Sequence, residues 1–375
     1  MRSPGLALGP ASFGKPEDTA PMNRYEQLQQ EMLKQPRRWL VTGAAGFIGS
    51  HLVARLLKLN QTVGGLDNFL TGSRKNLEAV RAEVGEDLWS KFKFLEGDIR
   101  DLATCQQVCA GADFVLHQAA LGSVPRSIAQ PADTHAHNIN GFLNMQLAAR
   151  EAGVKAFVYA SSSAVYGDNS ALPKREEIIG RPLSPYALSK WVNELYAEIF
   201  ARCYGMSSIG LRYFNVFGPR QDPNGPYAAV IPKWIDAMIK GQPICINGDG
   251  ETSRDFCYVN NTVQANLLAA DWLADPAHQT LVPSAQVFNV AAGGRTTLNQ
   301  LFYLLRDELV VTHPSLAGSL PVYGPFRAGD VRHSQADVRQ IQDTLAYLST
   351  QDLAEGLKEF LPQYLQSLCC TQSKR

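Results

Sequence analysis

The sequence predicts an α/β protein, a Rossmann-type doubly wound parallel sheet followed by a smaller C-terminal α/β domain. Three observations lead there. Short β-branched and aromatic runs alternate with amphipathic helical runs from Trp39 onward. A glycine-rich turn lies where the first of these strands meets the first helix. After Phe214 proline and glycine become frequent and the regular alternation ends. Strands that alternate with helices form a parallel sheet covered on both faces.

In order, Trp39–Thr42 reads as a strand and Gly46–Leu59 as the helix that follows it. Thr62–Leu66, Phe92–Leu95, Phe114–His117 and Phe157–Ser161 are further strands, with helices such as Leu102–Cys109 and Gly141–Ala152 between them. A long helical pattern from Pro185 to Tyr204 leads to the strand Ile209–Arg212. Beyond it, helices are expected over Ile231–Ile239, Thr262–Trp272 and Leu298–Leu309, with short strands near Ile244–Ile246 and Val287–Val290. The expected division is therefore 22–212 for the sheet domain and 213–375 mainly for the second, with some segments packing back on the first. Residues 1–21 are rich in Pro, Gly and Ala and lack a signal-peptide core. They read as a disordered expression leader, with natural sequence starting near Met22.

The chain has 375 residues, of which 45% are hydrophobic, enough for a full core. Its 35 Lys and Arg balance 35 Asp and Glu, so no bulk charge draws it to nucleic acid or to an anionic membrane. No apolar run approaches the roughly 18–20 residues that cross a bilayer. The seven cysteines are dispersed and no CxxC occurs, which suits a reducing cytoplasm better than a disulfide framework. The histidines form no metal-ligand spacing, so no metal is expected.

The turn Gly43-Ala-Ala-Gly46-Phe-Ile-Gly49 has the GxxGxxG spacing. Its glycines allow a tight turn, close approach of backbone N–H groups to a pyrophosphate, and close helix–strand packing. Ser50 and His51 stand where a P-loop needs Lys and Ser or Thr. Asp67 ends the second strand, eighteen positions after Gly49. A carboxylate there accepts from ribose hydroxyls and repels a 2′-phosphate, which points to NAD rather than NADP. Asp98 and Ile99, at the end of the third strand, would flank adenine.

Tyr186-Ala-Leu-Ser-Lys190 puts a phenol and an ammonium on one helical face. A cation beside a tyrosine lowers the phenol from its usual pKa of about 10 and makes it a base toward an alcohol. Alone, YxxxK is an ordinary helix pair. Its position changes that, because Ser161-Ser162-Ser163 ends a strand 23 to 25 residues earlier. The carboxyl ends of such strands carry the ligand site.

The segments GAAGFIGSHL, LDNFLTG, EGDIRD, HQAALGSVPRS, ASSSAVYGD, SPYALSK, LRYFNVFGPRQ and NGDGETSRDFCYV resemble the extended short-chain dehydrogenase/reductase family. The likeness covers nearly the whole chain after Met22. It is greatest to the UDP-N-acetylglucosamine/UDP-N-acetylgalactosamine 4-epimerases of Gram-negative surface polysaccharide (lipopolysaccharide O-antigen) biosynthesis.

The resemblance implies a mechanism. Tyr186 removes the 4-hydroxyl proton while the C4 hydride passes to NAD, and Ser162 relays a hydrogen bond to O4. Ser162 is identified by its four-residue spacing to Tyr166. The 4-keto sugar then turns and takes the hydride back on its other face, so NAD is regenerated.

The resemblance also implies which residues surround the ligands. Around the cofactor it places Gly43, Gly46, Phe47, Ile48, Asp67, Asn68 and Gly72. Asp98, Ile99, Gln118, Ala119 and Ala120 join them, together with Tyr186 and Lys190. Facing the sugar it puts Gly122 and Ser123 after the fourth strand, with Ser162 and Ser163. Asn215, Gln221, Ala229 and Val230 meet the nucleotide, and Arg254 and Arg327 clamp the diphosphate as guanidinium forks can. Ser334 matches a size gate, where a bulky tyrosine excludes the 2-acetamido group and a small side chain admits it. Ser163 and Ala164 follow Ser162 where a 4,6-dehydratase needs Asp-Glu, so dehydration is not expected.

A homodimer is also implied, through parts of Asn138–Ala152 and the helix after Pro185. The alternatives are a UDP-glucose/UDP-galactose or UDP-hexuronate 4-epimerase, and a non-catalytic NAD-sensing protein on the same fold.

Overall fold

Strand β1 (Arg38–Thr42) buries Trp39 and Val41 in one apolar cluster and Leu40 in another. Side chains alternate across a strand, so this sheet has a core on each face. The computed structural model describes residues 22–223, 228–279, 285–326 and 331–372. The expected leader, 1–21, and Arg327 lie outside the described residues.

The chain starts with α1 (Arg24–Lys34), then β1, α2 (Phe47–Lys58), β2 (Thr62–Asp67), α3 (Arg74–Val84) and β3 (Phe92–Glu96). It continues through α4 (Leu102–Cys109), β4 (Phe114–His117), α5 (Gly141–Glu151), β5 (Ala156–Ser162), α6 (Pro185–Tyr204) and β6 (Ser208–Tyr213). The remaining long elements are α7 (Val230–Ile239), α8 (Val259–Ala274), β7 (Ala285–Val290), α9 (Leu298–Val310) and α10 (Leu353–Gln372).

Seven strands form one sheet in the order β7-β6-β5-β4-β1-β2-β3, and every neighbouring pair is parallel. The order reverses between β1 and β4. The loops after these two strands diverge and leave a crevice at the carboxyl edge, where open sheets of this kind bind ligands. On one face Val41, Leu116, Val158 and Leu211 pack with Leu52 and Leu56 of α2 and Leu267 and Leu268 of α8. On the other, Leu40, Val115, Phe157 and Tyr159 meet Phe142 and Met145 of α5 and Ala197 and Phe200 of α6.

The strand read at Val287–Val290 and the helix read at Thr262–Trp272 follow the composition break, yet both pack on the main sheet. β7 pairs with β6 along its full length, and Phe288 and Val290 enter the first core. A run of β-branched residues specifies a strand but not its neighbour. A second core gathers Phe217, Ile231, Trp234, Ile246, Leu301, Phe302, Leu357 and Phe360, from α7, α9, α10 and the short strands between them.

Helix α1 was not foreseen from the sequence. Asn23 and Glu26 form a capping box at its start, and Arg24 pairs with Asp271 of α8 at 2.6 Å. Gln61, fully buried, stitches it to the sheet edge. Its Oε1 accepts from the Arg37 N–H (2.8 Å) and from Trp39 Nε1 (3.1 Å), and its Nε2 donates to the carbonyls of Met32 (2.8 Å) and Leu59 (2.6 Å). Gln61→Leu leaves these buried groups unpaired. It is expected to lower unfolding free energy by about 2–4 kcal/mol in urea denaturation, with amide-exchange protection lost first in α1.

Candidate active site

The crevice is shaped by the turn after β1. Gly43 has φ +68°, and its N–H donates to the Leu66 carbonyl at 2.8 Å. A Cβ on Gly49 would lie 2.0 Å from the Gly43 carbonyl oxygen, so α2 can lie this close only with glycine there. No side chain caps the start of α2 at Gly46 and Phe47, and a helix amino end of this kind suits a pyrophosphate. Phe47 sits edge-on to His51 and packs on the second core, while Ile48 packs on the first.

Asp67 closes β2 beside this turn. Its Oδ2 accepts from the Ala45 N–H at 3.0 Å and its Oδ1 from the Phe69 N–H at 2.8 Å. Burial pushes its carboxyl up, and backbone N–H bonds, led by that of Phe69, draw it back. The carboxylate therefore braces the glycine turn as well as facing the crevice. A Cβ on Gly72 would come within 2.8 Å of Asp67 Oδ1, so a glycine lets this loop close over the carboxylate.

Asp98 and Ile99 follow the end of β3. Asp98 accepts from Asn68 Nδ2 at 2.9 Å, and its hydrogen bonds with Arg100 hold its carboxyl well below the usual range. The Ile99 side chain is buried in the core against α5. After β4, the Ala119 N–H donates to Thr42 Oγ1 at 3.2 Å, and Ala120 follows at the crevice. The Gln118 amide is held in a triangle with Asn266 of α8 and Tyr213 of β6 (3.1 and 3.0 Å). A glycine turn with an uncapped helix start and a buried carboxylate at the next strand end suits a dinucleotide.

At the other side of the crevice, Ser184 caps α6 by accepting from the Ala187 N–H at 3.1 Å, with Pro185 in the first helical position. This sets Tyr186 in the first turn, half-buried. Its phenol lies beside Ser162, which ends β5 and draws the phenol's pKa down against burial, and Ser163 opens the short 3₁₀ turn that follows. Lys190 is 3% exposed, and its Nζ donates to the Ala160 carbonyl at 2.7 Å.

One sequence expectation needs correction here. The Lys190 ammonium was expected to draw the phenol down, but burial raises the Tyr186 pKa above its ordinary value, and the opposing influence is Ser162. Burial also pushes the Lys190 ammonium down, to about 8. Desolvation penalises both charged forms and is the largest influence on each.

Asn138, which the sequence did not single out, joins the two walls. It lies in a π-helical turn, Ala136–Asn140, leading into α5. Its Oδ1 accepts from the Leu121 N–H (2.8 Å), and its Nδ2 donates to the Leu121 carbonyl (3.1 Å) and to Ser189 Oγ (3.0 Å). The loop carrying Gly122 and Ser123 is thereby tied to the helix of Tyr186. Gly122 borders open space, and the Ser123 hydroxyl caps the next short helix. A π turn is common at functional sites, but a helical run with an Asn in it carries no sign of one.

The remaining residues cluster around a second unforeseen residue, Asp255. It is fully buried, and its carboxylate accepts from the N–H groups of Ala292 (3.2 Å) and Ala336 (3.1 Å). Its backbone carbonyl accepts from Asn215 Nδ2 at 3.0 Å, and burial pushes its carboxyl up to about 7. Arg254 Nη1 donates to the Ser253 carbonyl at 2.9 Å, and the Ser334 N–H donates to the same oxygen at 3.0 Å. Asn215, Arg254 and Ser334 are thus linked within one knot of backbone.

Gln221 Nε2 donates to the Val216 carbonyl at 3.2 Å, while its Oε1 is buried without a partner among the described residues. Ala229 precedes α7 and Val230 begins it. Among the described residues no cluster of three or more His, Cys, Asp or Glu could hold a metal ion, and no helix is long and apolar enough to cross a membrane.

The pattern of the NAD dependent epimerase/dehydratase family matches residues 39–291. The chain is 37% identical to the UDP-N-acetylglucosamine 4-epimerase from Methanobrevibacter ruminantium M1, solved in complex with UDP-N-acetylmuramic acid. That match covers 88% of this chain and 99% of the other, with a TM-score of 0.79. It is 36% identical to the UDP-glucose 4-epimerase of Thermotoga maritima, solved with UDP-glucose, over 88% of this chain and 99% of that one, with a TM-score of 0.77. The UDP-glucose 4-epimerase of Mycolicibacterium smegmatis is 34% identical over 327 residues, covering 85% of this chain and 96% of the relative.

Gly49→Ala forces α2 away from the Gly43 carbonyl. The purified variant is expected to bind NAD about tenfold or more weakly than the parent, since a displacement that removes about 1.4 kcal/mol weakens binding tenfold. Titration of the stripped protein with NAD measures it, and a parent-like Kd would refute the role given to this turn.

Proposed function

The chain belongs to the NAD dependent epimerase/dehydratase family, and from that premise we propose that it is a UDP-N-acetylhexosamine 4-epimerase. It would interconvert UDP-N-acetylglucosamine and UDP-N-acetylgalactosamine through a 4-keto intermediate. The observation that carries this reading is the grouping of Ser162, Tyr186 and Lys190 at the carboxyl end of β5, across the crevice from the glycine turn.

When bound, NAD supplies the acceptor and returning donor for the C4 hydrogen. The protein's own groups handle the proton. Tyr186 takes it from the 4-hydroxyl, and Ser162, beside the phenol, offers a second hydrogen bond to the same substrate oxygen. The Lys190 ammonium, one helical turn along, favours the phenolate that this transfer requires. After the sugar turns, Tyr186 returns the proton to the 4-oxygen, while the hydride held by NAD would return to the other face of C4. Ser163 and Ala164 supply no second acid or base, which supports epimerisation over dehydration.

Three features bear on substrate. The small Ser334 leaves room for a 2-acetamido group, and it shares the Ser253 carbonyl with Arg254. Arg254, with Arg327, is assigned to the diphosphate. Gly122 borders open space and is assigned with Ser123 to the sugar. The remaining substrate contacts are assigned to Asn215, Gln221, Ala229 and Val230, and the rim of the cofactor to Asn68, Asp98 and the backbone of Ile99 and Ala120. A second reading, a UDP-glucose 4-epimerase, is supported by the relatives that carry UDP-glucose in their names. A small gate removes a clash without creating a preference.

The same reading includes a homodimer. Leu188, Leu195 and Ile199 lie on one face of α6 and are 46%, 43% and 47% exposed, beside α5. A second copy would cover that stripe, and sedimentation velocity at twice the monomer mass is the expected result. The described cysteines are free thiols, in keeping with a reducing cytoplasm.

Purified protein given UDP-N-acetylglucosamine, with no added nicotinamide, is expected to form the galacto epimer. Absence of product with every UDP-hexose tested would overturn the proposal. Tyr186→Phe should retain its fold by circular dichroism and lose at least about 100-fold in kcat; parent-like turnover would reject the base assignment. Ser334→Tyr should reduce kcat/KM for acetylated sugars about tenfold or more relative to plain hexoses, and an unchanged ratio would remove Ser334 from specificity.

A further inference from the structure

Three consecutive residues at the end of β5 meet α6, two of them through hydrogen bonds. The Ala160 carbonyl accepts from Lys190 Nζ at 2.7 Å, the Ser161 hydroxyl donates to Glu194 Oε1 at 2.5 Å, and Ser162 lies beside the Tyr186 phenol. Tyr186, Lys190 and Glu194 are four residues apart, so they share one face of the helix. The first two already have roles in the chemistry. Glu194 and Ser161 do not.

The Glu194 carboxylate is 9% exposed and held by three donors. Besides Ser161, these are Arg212 Nε at 2.9 Å and Arg212 Nη2 at 2.8 Å. Arg212, from β6, is 3% exposed, and its Nη1 donates to the Tyr166 hydroxyl (3.1 Å) and the Glu176 carbonyl (2.9 Å). A buried ion pair is often no more stabilising than apolar side chains of the same volume. Its consequence is better sought in the field it creates.

That field falls on Lys190. Its nitrogen is bonded to a carbonyl, and burial works against its charge, with Glu194 opposing. The other titratable groups near it do not replace Glu194. His117 of β4 is kept neutral, its imidazole pushed by burial down to about 3. His137 of the π turn is turned to the Asp133 carbonyl. Arg212 is already paired with Glu194, and Tyr186 is the group to be charged.

We propose that Glu194 is a positioning residue for the reaction: clamped by Arg212 and Ser161, its carboxylate keeps the buried Lys190 ammonium charged and holds α6 in register with β5. This rests on the roles proposed above for Tyr186 and Lys190. Glu194 touches neither substrate nor cofactor. It acts through Lys190.

Glu194→Gln removes the charge and keeps the shape. In the NAD-loaded protein labelled with 13C-lysine, the pH titration of the Lys190 side-chain resonance, assigned by its loss in Lys190→Arg, reports the ammonium without turnover. Its midpoint is expected to fall by about one pH unit, the effect of losing a nearby opposite charge. The alkaline limb of the kcat profile with UDP-N-acetylglucosamine should fall with it, and KM should stay within about twofold of the parent, because uniform binding is untouched.

A residue that merely supports the fold would lower kcat equally at every pH and move neither midpoint. Should the uncompensated Arg212 prevent folding, Glu194→Gln with Arg212→Gln removes both charges and is read in the same way. An unmoved Lys190 midpoint in the folded variant overturns the proposal. A parent that turns over no UDP-hexose overturns the function proposed above instead, while the Lys190 midpoint still decides the role of Glu194.

Discussion

Gly49 allows α2 to rest against the Gly43 carbonyl at a distance that no side chain tolerates. That contact governs much else in the crevice. It sets where α2 begins, hence where its uncapped amino end lies relative to the sheet edge. It brings the turn within reach of the Asp67 carboxylate, which holds the Ala45 N–H. It also places Phe47 of α2 against the second core, so the packing of one glycine connects the first core to the second.

Burial then does chemical work around this frame. Lys190 and Asp255 are each moved toward neutrality by loss of water, and Tyr186 is held protonated by the same effect. Each is compensated by a small set of fixed partners: Ala160 and Glu194 for the lysine, Ser162 for the tyrosine, backbone N–H groups for the aspartate. A site built this way has its charges balanced before any ligand arrives, and small changes in partner charge tip it. The buried Arg212–Glu194 pair belongs to this balance.

Much of the sheet was legible in the chain. The expectations at Leu102–Cys109, Phe114–His117 and Pro185–Tyr204 coincide with the observed elements, and the other main-sheet strands lengthen by one or two residues. Short apolar runs bounded by helices leave little choice of state. Helix α1 was missed because it is largely polar and owes its place to tertiary contacts through Gln61 and Arg24. Some segments after the composition break were expected to pack back on the first domain, but β7 was not singled out among them, since strand propensity names no partner. Within the site, Asn138, Glu194 and Asp255 gave no local signal, because each is defined by what it touches far along the chain.

Local chemistry was written into the order of residues: a glycine spacing that only a tight strand-to-helix turn can use, and a phenol and an ammonium one helical turn apart. Those features follow from backbone sterics and the helix repeat, and they hold in any fold that contains them. How acidic the phenol is, which charge faces the lysine, and which segments meet around Asp255 depend on burial and on contacts between residues many positions apart. Such quantities come into being when water is expelled from the assembled core, and no run of neighbouring residues encodes them.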